Sequence, residues 1–285
     1  MKKLLYQLDT DAHPAVFDSV VGYDGGADHV IGYGNCNEGN VTSLVEGTIF
    51  TRAPKDKKNT AIFVGGSNMT AGEHLFAAIQ KVFFADFRVS VMLDSNGSNT
   101  TAAAAVAKML TSGSMSGKKA VILAGTGPVG RRAAVMMSRE GAHVSITSRK
   151  QSNAEEACKD IKDQFDVDIE PIGAPSNDDR ARAIEEANIV FCTGAAGIQL
   201  LDESSWADNK NIEILADANA TPPLGIGGTD MMDRGKERNG KITWGAIGFG
   251  TLKLAVHRAC IAKLFESNDV VLDAEEIFAL PKSMA

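Results

Sequence analysis

Residues 119–132 read KAVILAGTGPVGRR, a short apolar run followed by three glycines in a GxGxxG pattern. The run predicts a buried strand, and the residues after the last glycine predict a helix. Between strand and helix, the first glycine permits a tight turn, the second lets a pyrophosphate approach the backbone, and the third lets the helix pack closely. An ordinary turn without ligand is the alternative. The stretch therefore predicts a dinucleotide site made of Gly125, Thr126, Gly127, Pro128, Val129 and Gly130.

Strands and helices alternate on both sides of this motif. Strands are expected at 143–147, 168–170, 188–192, 212–216 and 242–244, separated by helices of about 12 residues, a pattern typical of right-handed βαβ units. The fold class predicted is therefore α/β, with a Rossmann-type doubly wound parallel sheet.

The N-terminal third predicts a smaller α/β domain, with strands at 4–8, 61–64 and 89–93. At roughly 150 residues per domain, a chain of 285 residues is expected to form two. The small polar segment 111–117 indicates the boundary. We expect domains at 1–112 and 113–285, with a helix at 251–266 facing the cleft between them.

Composition and charge exclude several classes of protein. With 29 Lys+Arg against 36 Asp+Glu, the net charge of −7 repels phosphate backbones and anionic lipid, so no nucleic-acid or membrane partner is expected. Forty-four per cent hydrophobic residues exclude disorder. The four cysteines are far apart and have no histidines at metal-ligand spacing, so no metal site is expected. Because no signal-peptide core or membrane-length apolar run is present, we expect a cytoplasmic protein.

The cofactor type is indicated about 20 residues after the glycine loop. An NAD enzyme would carry an acidic residue there to accept hydrogen bonds from the ribose, whereas this chain has Ser148, Arg149 and Lys150. A hydroxyl followed by two cations suits a 2′-phosphate, although a solvated basic turn would read the same way. We therefore predict NADP as the cofactor.

Two further loops follow strands at the edge where ligands of such sheets bind. The first contains Thr193, Gly194 and Ala195, and the second contains Asn219. Small residues at these places allow a flat nicotinamide ring to lie against the backbone. Loops that act only as turns between strand and helix would have a similar sequence.

The helix expected at 251–266 places Lys253 and His257 one turn apart within its apolar arc. A buried ammonium is costly without a partner, so such a pair indicates a ligand-facing site. Alternatively, Lys253 extends to water and His257 is a hydrogen-bonded core residue. A third candidate is the polar loop 94–101, which either holds a polar ligand edge or caps the helix after it.

Taken together, several motifs resemble one family. They are LDTD at 8–11, VFD at 16–18, VGYDGGAD at 21–28, DSNGSNTT at 94–101, AGTGPVG at 124–130, PPLGIGG at 222–228 and LKLAVHRACIAKLFE at 252–266. The chain resembles the NADP-dependent methylene-tetrahydromethanopterin dehydrogenases of methylotrophic bacteria over essentially its whole length.

The resemblance implies hydride transfer from the methylene bridge of a reduced pterin carrier to NADP, giving the methenyl form in one-carbon (formaldehyde) metabolism. It also implies a substrate cleft between the domains and a homo-oligomer, a trimer, whose neighbouring subunit helps to close the site. The family's active-site residues correspond to Phe17, Thr101, Lys253 and His257. A fixed ammonium beside a developing methenyl cation would raise the barrier, so Lys253 is either partly neutral or contacts the substrate away from the bridge.

Two other functions remain open from the sequence. A methylene-tetrahydrofolate dehydrogenase with methenyl cyclohydrolase activity would also use an active-site lysine. A non-catalytic NADPH-sensing regulator would keep the glycine loop but would not need Lys253 and His257 on a buried arc.

Overall fold

A computed structural model describes all 285 residues of the chain, which form twelve strands and nine α-helices. The strands are β1 (Leu4–Asp9), β2 (His29–Tyr33), β3 (Thr60–Gly65), β4 (Ser90–Leu93), β5 (Lys119–Leu123), β6 (His143–Ser148), β7 (Glu170–Gly173), β8 (Ile189–Cys192), β9 (Ile214–Asp217), β10 (Arg234–Arg238), β11 (Lys241–Gly245) and β12 (Val271–Leu272). The helices are α1 (Val16–Asp24), α2 (Val41–Phe50), α3 (Met69–Val82), α4 (Ser98–Leu110), α5 (Pro128–Arg139), α6 (Gln151–Phe165), α7 (Asn177–Ala183), α8 (Ala246–Lys263) and α9 (Ala274–Ala279).

The chain divides into two compact units whose boundaries differ from the expected ones. Unit 1 comprises residues 1–100 and 254–284, and unit 2 comprises residues 101–253, so that the divisions fall within α4 and α8. The C-terminal residues, expected in the second domain, join the first because β12 pairs in parallel with β4. Ser90 Oγ also donates a hydrogen bond to the carbonyl of Ser267. That the helix containing Lys253 faces a cleft stays a prediction.

Unit 1 is built on a five-stranded parallel sheet in the order β12-β4-β3-β1-β2. Its core packs α2 and α3 on one side of the sheet, because Val41, Val45 and Ile49 recur at helical spacing and meet Leu75 and Ile79. Each of these fully buried side chains contributes roughly 1.5 to 3 kcal/mol to stability. The three strands predicted in this region are all present.

Unit 2 contains a seven-stranded sheet in the order β10-β11-β9-β8-β5-β6-β7. All neighbours are parallel except β10, which pairs antiparallel with β11. The strand order runs outward in both directions from β5, so the topological switch point lies between β5 and β8, where such sheets bind ligands. The predicted Rossmann-type fold is confirmed, with β7 beginning at the last residue of the strand expected at 168–170.

No helix of the structure combines the length and the apolar composition that crossing a bilayer requires.

Candidate active site

The loop between β5 and α5 is shaped by its glycines. A Cβ at Gly125 would lie 2.8 Å from Ile146 Cβ, and one at Gly130 would lie 2.6 Å from the Cα of Gly125. A Cβ at Gly127, in contrast, would meet nothing within 4 Å. Gly125 and Gly130 are therefore required by packing within the protein, whereas Gly127 borders open space where a ligand would lie.

The N-terminus of α5 offers free backbone donors beside this space. The helix begins at Pro128 with Gly127 as its N-cap, and Gly127 has no side chain to accept hydrogen bonds from the N–H groups of the first turn. The N–H groups of the first turn are consequently available to an anion, and the helix dipole favours negative charge at this end. Arg131 Nε donates to the carbonyl of Thr126 at 3.0 Å, which ties the loop to the helix.

A cavity of about 680 Å³ lies at the carboxyl ends of β5, β6 and β8 in unit 2. It brings together three of the segments predicted for the cofactor: the glycine loop, the basic turn after β6 and the small-residue loop after β8. Both basic side chains of the turn are exposed. Four lining residues were not predicted, Ala124, Asn153, Ile198 and Leu200, although Ala124 directly precedes the glycine loop and Asn153 lies within the first turn of α6, just after the basic residues. The lining residues are Ala124, Thr126, Ser148, Arg149, Lys150, Asn153, Gly194, Ala195, Ile198 and Leu200.

These features fit a dinucleotide. The loop leaves room for a pyrophosphate at Gly127, and the cavity has the volume of a cofactor-sized site. Arg149 and Lys150 supply positive charge at the second strand, where no carboxylate competes. Of the six residues predicted in the glycine loop, only Thr126 lines the cavity; Pro128, Val129 and Gly130 belong to the first turn of α5.

The two loops predicted for the nicotinamide side are held by partly buried hydrogen bonds within the protein. Thr193 Oγ1 donates to the carbonyls of Leu123 and Ala124, each at 3.3 Å. Asn219 is buried and does not line the cavity; its side-chain amide donates to the carbonyl of Ala195 at 3.4 Å. The residue therefore joins the second loop to the first.

Asp217, the last residue of β9, anchors the second loop. Its carboxylate accepts hydrogen bonds from the backbone N–H groups of Asn219 at 2.9 Å and Ile226 at 2.8 Å. Burial raises the pKa of Asp217 to about 6, against the opposing effect of the backbone hydrogen bonds. The loop thus closes on a buried carboxyl group whose pKa is raised by its burial.

Unit 1 contains Phe17 and His257, and it brings them together. His257 is buried on α8, and its ring stacks on Phe63 with centroids 5.4 Å apart. Phe17 lies on α1 with its ring centroid 6.3 Å from that of His257, and it is 48% exposed. His257 Nδ1 lies 4.0 Å from Asp94 Oδ2. A buried imidazole therefore lies beside a half-exposed aromatic ring that is accessible to a ligand.

Of the two neighbours of His257, Phe63 was not among the predicted site residues, whereas Asp94 was included only as the first residue of the candidate loop 94–101. Phe63 belongs to the apolar run of β3, where nothing in the sequence separates it from core residues. Asp94 directly follows β4 at the carboxyl edge of the sheet, and this position is the signal that marked the loop 94–101 as a candidate.

The polar loop 94–101 is mostly a capping structure. Thr100 donates to Asp94 through its backbone N–H at 3.0 Å and through Oγ1 at 2.6 Å. Asn99 Nδ2 donates to the carbonyl of Leu93 at 2.7 Å, and Ser98 Oγ to that of Ser95 at 2.7 Å. Since these side chains are fully buried and bonded within the protein, they order the loop rather than offer a surface to a ligand.

Thr101 and Lys253 belong to unit 2 and are partly buried, on α4 and α8 respectively. Thr101 follows the capping loop directly, and Lys253 lies one turn before His257 on the same helix. Their roles in a substrate site stay predictions.

The fold, the glycine loop and the cavity define a dinucleotide-binding α/β protein of the dehydrogenase type. The solved shikimate 5-dehydrogenase of Listeria monocytogenes superposes with a TM-score of 0.58 at 15% identity, covering 99% of this chain and 96% of that one. This likeness shows the shared fold.

Residues 16–96 match the family described as methylene-tetrahydromethanopterin dehydrogenase, N-terminal. The Bifunctional protein MdtA of Methylorubrum extorquens is 56% identical over 286 residues, spanning 100% of this chain and 99% of the relative. The NAD(P)-dependent methylenetetrahydromethanopterin dehydrogenase of the same organism is 28% identical over 294 residues, with coverage of 100% and 99%. The chain belongs to the methylene-tetrahydromethanopterin dehydrogenase family, as its motifs predict.

Proposed function

We propose that this protein oxidises the methylene bridge of methylene-tetrahydromethanopterin to the methenyl form, with the hydride passing to NADP. The observation that carries the proposal is the 56% identity, across the whole chain, to a member of this family. The dinucleotide cavity in unit 2 supports it independently, because the reaction needs a nicotinamide cofactor beside the pterin.

The residues of unit 2 would hold the cofactor in three places. The glycine loop and the start of α5 would bind the pyrophosphate, Ser148, Arg149 and Lys150 would bind the 2′-phosphate, and the loops of Thr193 and Asn219 would border the nicotinamide. When bound, NADP supplies the hydride acceptor. Since the hydride moves directly, the protein needs no obligatory acid or base, and its main task is to hold the bridge carbon close to that acceptor.

Phe17 and His257 would orient the pterin. The half-exposed ring of Phe17 offers a flat apolar face for stacking. His257 packs against Phe63 with Asp94 beside it, and it would hydrogen-bond to the substrate. Thr101 would add a hydroxyl contact, and Lys253 would bind the substrate away from the bridge, where its ammonium does not oppose the developing cation.

A second carrier is a candidate because the relative at 56% identity is called bifunctional. Methylene-tetrahydrofolate carries a reacting methylene bridge of the same type. We propose it as an alternative substrate, and hydrolysis of the methenyl product as the second activity to be assayed with it.

We further propose a homo-oligomer, a trimer, located in the cytoplasm. All four cysteines are free and buried, which suits a reducing compartment. The trimer follows from the family resemblance, and sedimentation analysis of the purified protein tests it.

Activity assays that combine each carrier with each cofactor test the proposed function. Purified protein is assayed with each of the two methylene carriers against NAD and NADP, and methenyl hydrolysis is followed in parallel. We expect the highest kcat/KM for methylene-tetrahydromethanopterin with NADP. Absence of reduction with either carrier would contradict the proposal and favour a nucleotide-sensing regulator.

A further inference from the structure

His257 lies in a small buried compartment of unit 1. The imidazole is 1% exposed and stacks on the buried ring of Phe63, with an interplanar angle of 25°. Phe17 lies on another side, at a tilt of 39°. Two aromatic rings thus restrict the plane of the imidazole, but neither determines which ring nitrogen carries the proton.

The carboxylate of Asp94 lies beside this ring, and hydrogen bonds from Thr100 hold it in place. Thr100 donates its backbone N–H to Oδ1 at 3.0 Å and its hydroxyl to Oδ2 at 2.6 Å. The same Oδ2 lies 4.0 Å from His257 Nδ1. Because both residues are fully buried, the field of the carboxylate at Nδ1 is little screened by water.

We propose that Asp94 is a positioning residue, which holds the His257 imidazole as its Nδ1–H tautomer with Nε2 unprotonated. The tautomer of a histidine is set by the partner of its other nitrogen, and a carboxylate accepts only from a protonated one. A separation of 4.0 Å is longer than a hydrogen bond, but contacts of this kind commonly tighten when substrate binds. The catalytic part of this inference rests on the proposed function.

A purely structural role is the competing explanation, since Asp94 also caps the start of α4. Substitutions at Thr100 and at Asp94 distinguish the capping role from the positioning role. Thr100→Val removes the hydroxyl donor but leaves the carboxylate beside His257. Asp94→Asn keeps the shape of the side chain and its capping of α4, because the Thr100 hydroxyl is able to accept a hydrogen bond from the new amide. The amide N–H would then face Nδ1 of His257 and favour the tautomer in which Nδ1 is unprotonated.

Nitrogen NMR of the full chain labelled with ¹⁵N-histidine tests the positioning directly. The chain has five histidines, and the signal lost in His257→Gln assigns the residue. We expect Nδ1 to be protonated and Nε2 to be unprotonated in the wild type. Any other protonation pattern would overturn the proposal, whether or not the variants fold.

Steady-state kinetics tests whether the positioning of His257 by Asp94 affects turnover. In Asp94→Asn we expect kcat for the methylene carrier to fall about tenfold or more, as for other residues that orient an active-site histidine. Thr100→Val should keep kcat within threefold, and the KM for NADP should be unchanged in both. An equal loss in the two variants, or wild-type kcat in Asp94→Asn, would overturn the positioning role. Wild-type kcat in His257→Gln would instead contradict the proposed role of His257, while the NMR result would still decide its tautomer.

Discussion

Arg149 and Lys150 are the residues at which charge decides the cofactor. They line the cavity directly after β6, where an NAD enzyme carries a carboxylate, and both are exposed. Their guanidinium and ammonium groups have no acidic neighbour among the residues of this cavity. A phosphate with about two negative charges therefore has two cations available to it.

Arg149→Asp is expected to invert the cofactor preference. The new carboxylate would repel the 2′-phosphate of NADP and accept hydrogen bonds from the ribose hydroxyls of NAD. The ratio of kcat/KM for NADP over NAD should fall by on the order of 100-fold, about 3 kcal/mol. Arg182→Asp, an exposed arginine on α7 outside this cavity, serves as control. Unchanged discrimination in Arg149→Asp would contradict the assignment.

Lys253→Ala is expected to reduce turnover while leaving NADP binding intact. If Lys253 orients the pterin, its removal should lower kcat by on the order of 100-fold, the loss typical of a misplaced substrate. The NADP Kd, measured by fluorescence titration, should change less than threefold. Lys263→Ala on the same helix is the matched control, and wild-type kcat in Lys253→Ala would refute the substrate contact.

Asp217 makes the stability of the protein depend on pH. Burial raises its pKa from the ordinary 3.8 to about 6, so the folded protein holds this proton more tightly than the unfolded chain does. The resulting contribution, about 3 kcal/mol at most, is complete below the unfolded pKa and is lost as pH rises through the folded pKa.

Asp217→Asn removes this titration. The free energy of unfolding of the wild type, relative to that of the variant, should therefore decrease between pH 4 and pH 7 in urea titrations. Asp163→Asn, an exposed position on α6, should show a constant difference from the wild type. A constant difference for Asp217→Asn as well would contradict the raised pKa.

At the scale of elements, the strand, glycine loop and helix at 119–139 were predictable because each local signal points to the same structure. The buried strands of both sheets were predictable for the same reason, since they read as continuous apolar runs. Other elements contradict their local signals. α1 exposes Val16, Val20 and Tyr23 and buries Val21 and Gly22, so most of its large apolar residues do not mark a buried face.

The start of α8 was also misjudged from sequence. The helix begins at Ala246 rather than near 251 and includes Gly248 and Gly250, residues that normally weaken a helix. A Cβ at Gly248 would lie 1.7 Å from the carbonyl oxygen of Asp233, so this glycine is required by a close approach of backbone. Such tertiary contacts are invisible in the local pattern.

The glycine loop gives a prediction that separates folding from binding. Gly130→Ala places a methyl group against the backbone of Gly125 and should cost about 1 to 3 kcal/mol of stability. Gly127→Ala meets nothing in the protein, so its melting temperature should stay near that of the wild type while its NADP affinity falls at least tenfold. Equal NADP affinity for Gly127→Ala and wild type would contradict the pyrophosphate site.

At the scale of the whole molecule, the sequence predicts two α/β units but misplaces the last thirty residues. Their attachment to unit 1 depends on β12, a strand of two residues that no periodicity reveals. The site was predictable in part, because the cofactor residues form a contiguous motif with a known mechanism. Asp94 and Phe63 acquire their relation to His257 only through folding, since they are far from it along the chain.

The central claim is that a hydride passes from the methylene bridge of the pterin to NADP in this protein. It is tested most directly with methylene-tetrahydromethanopterin carrying deuterium at both positions of the bridge carbon, incubated with NADP and the full chain. The account predicts one deuterium per molecule of NADPH formed, detected by mass spectrometry, together with the methenyl product. NADPH without deuterium, or no reduction of NADP, would contradict it.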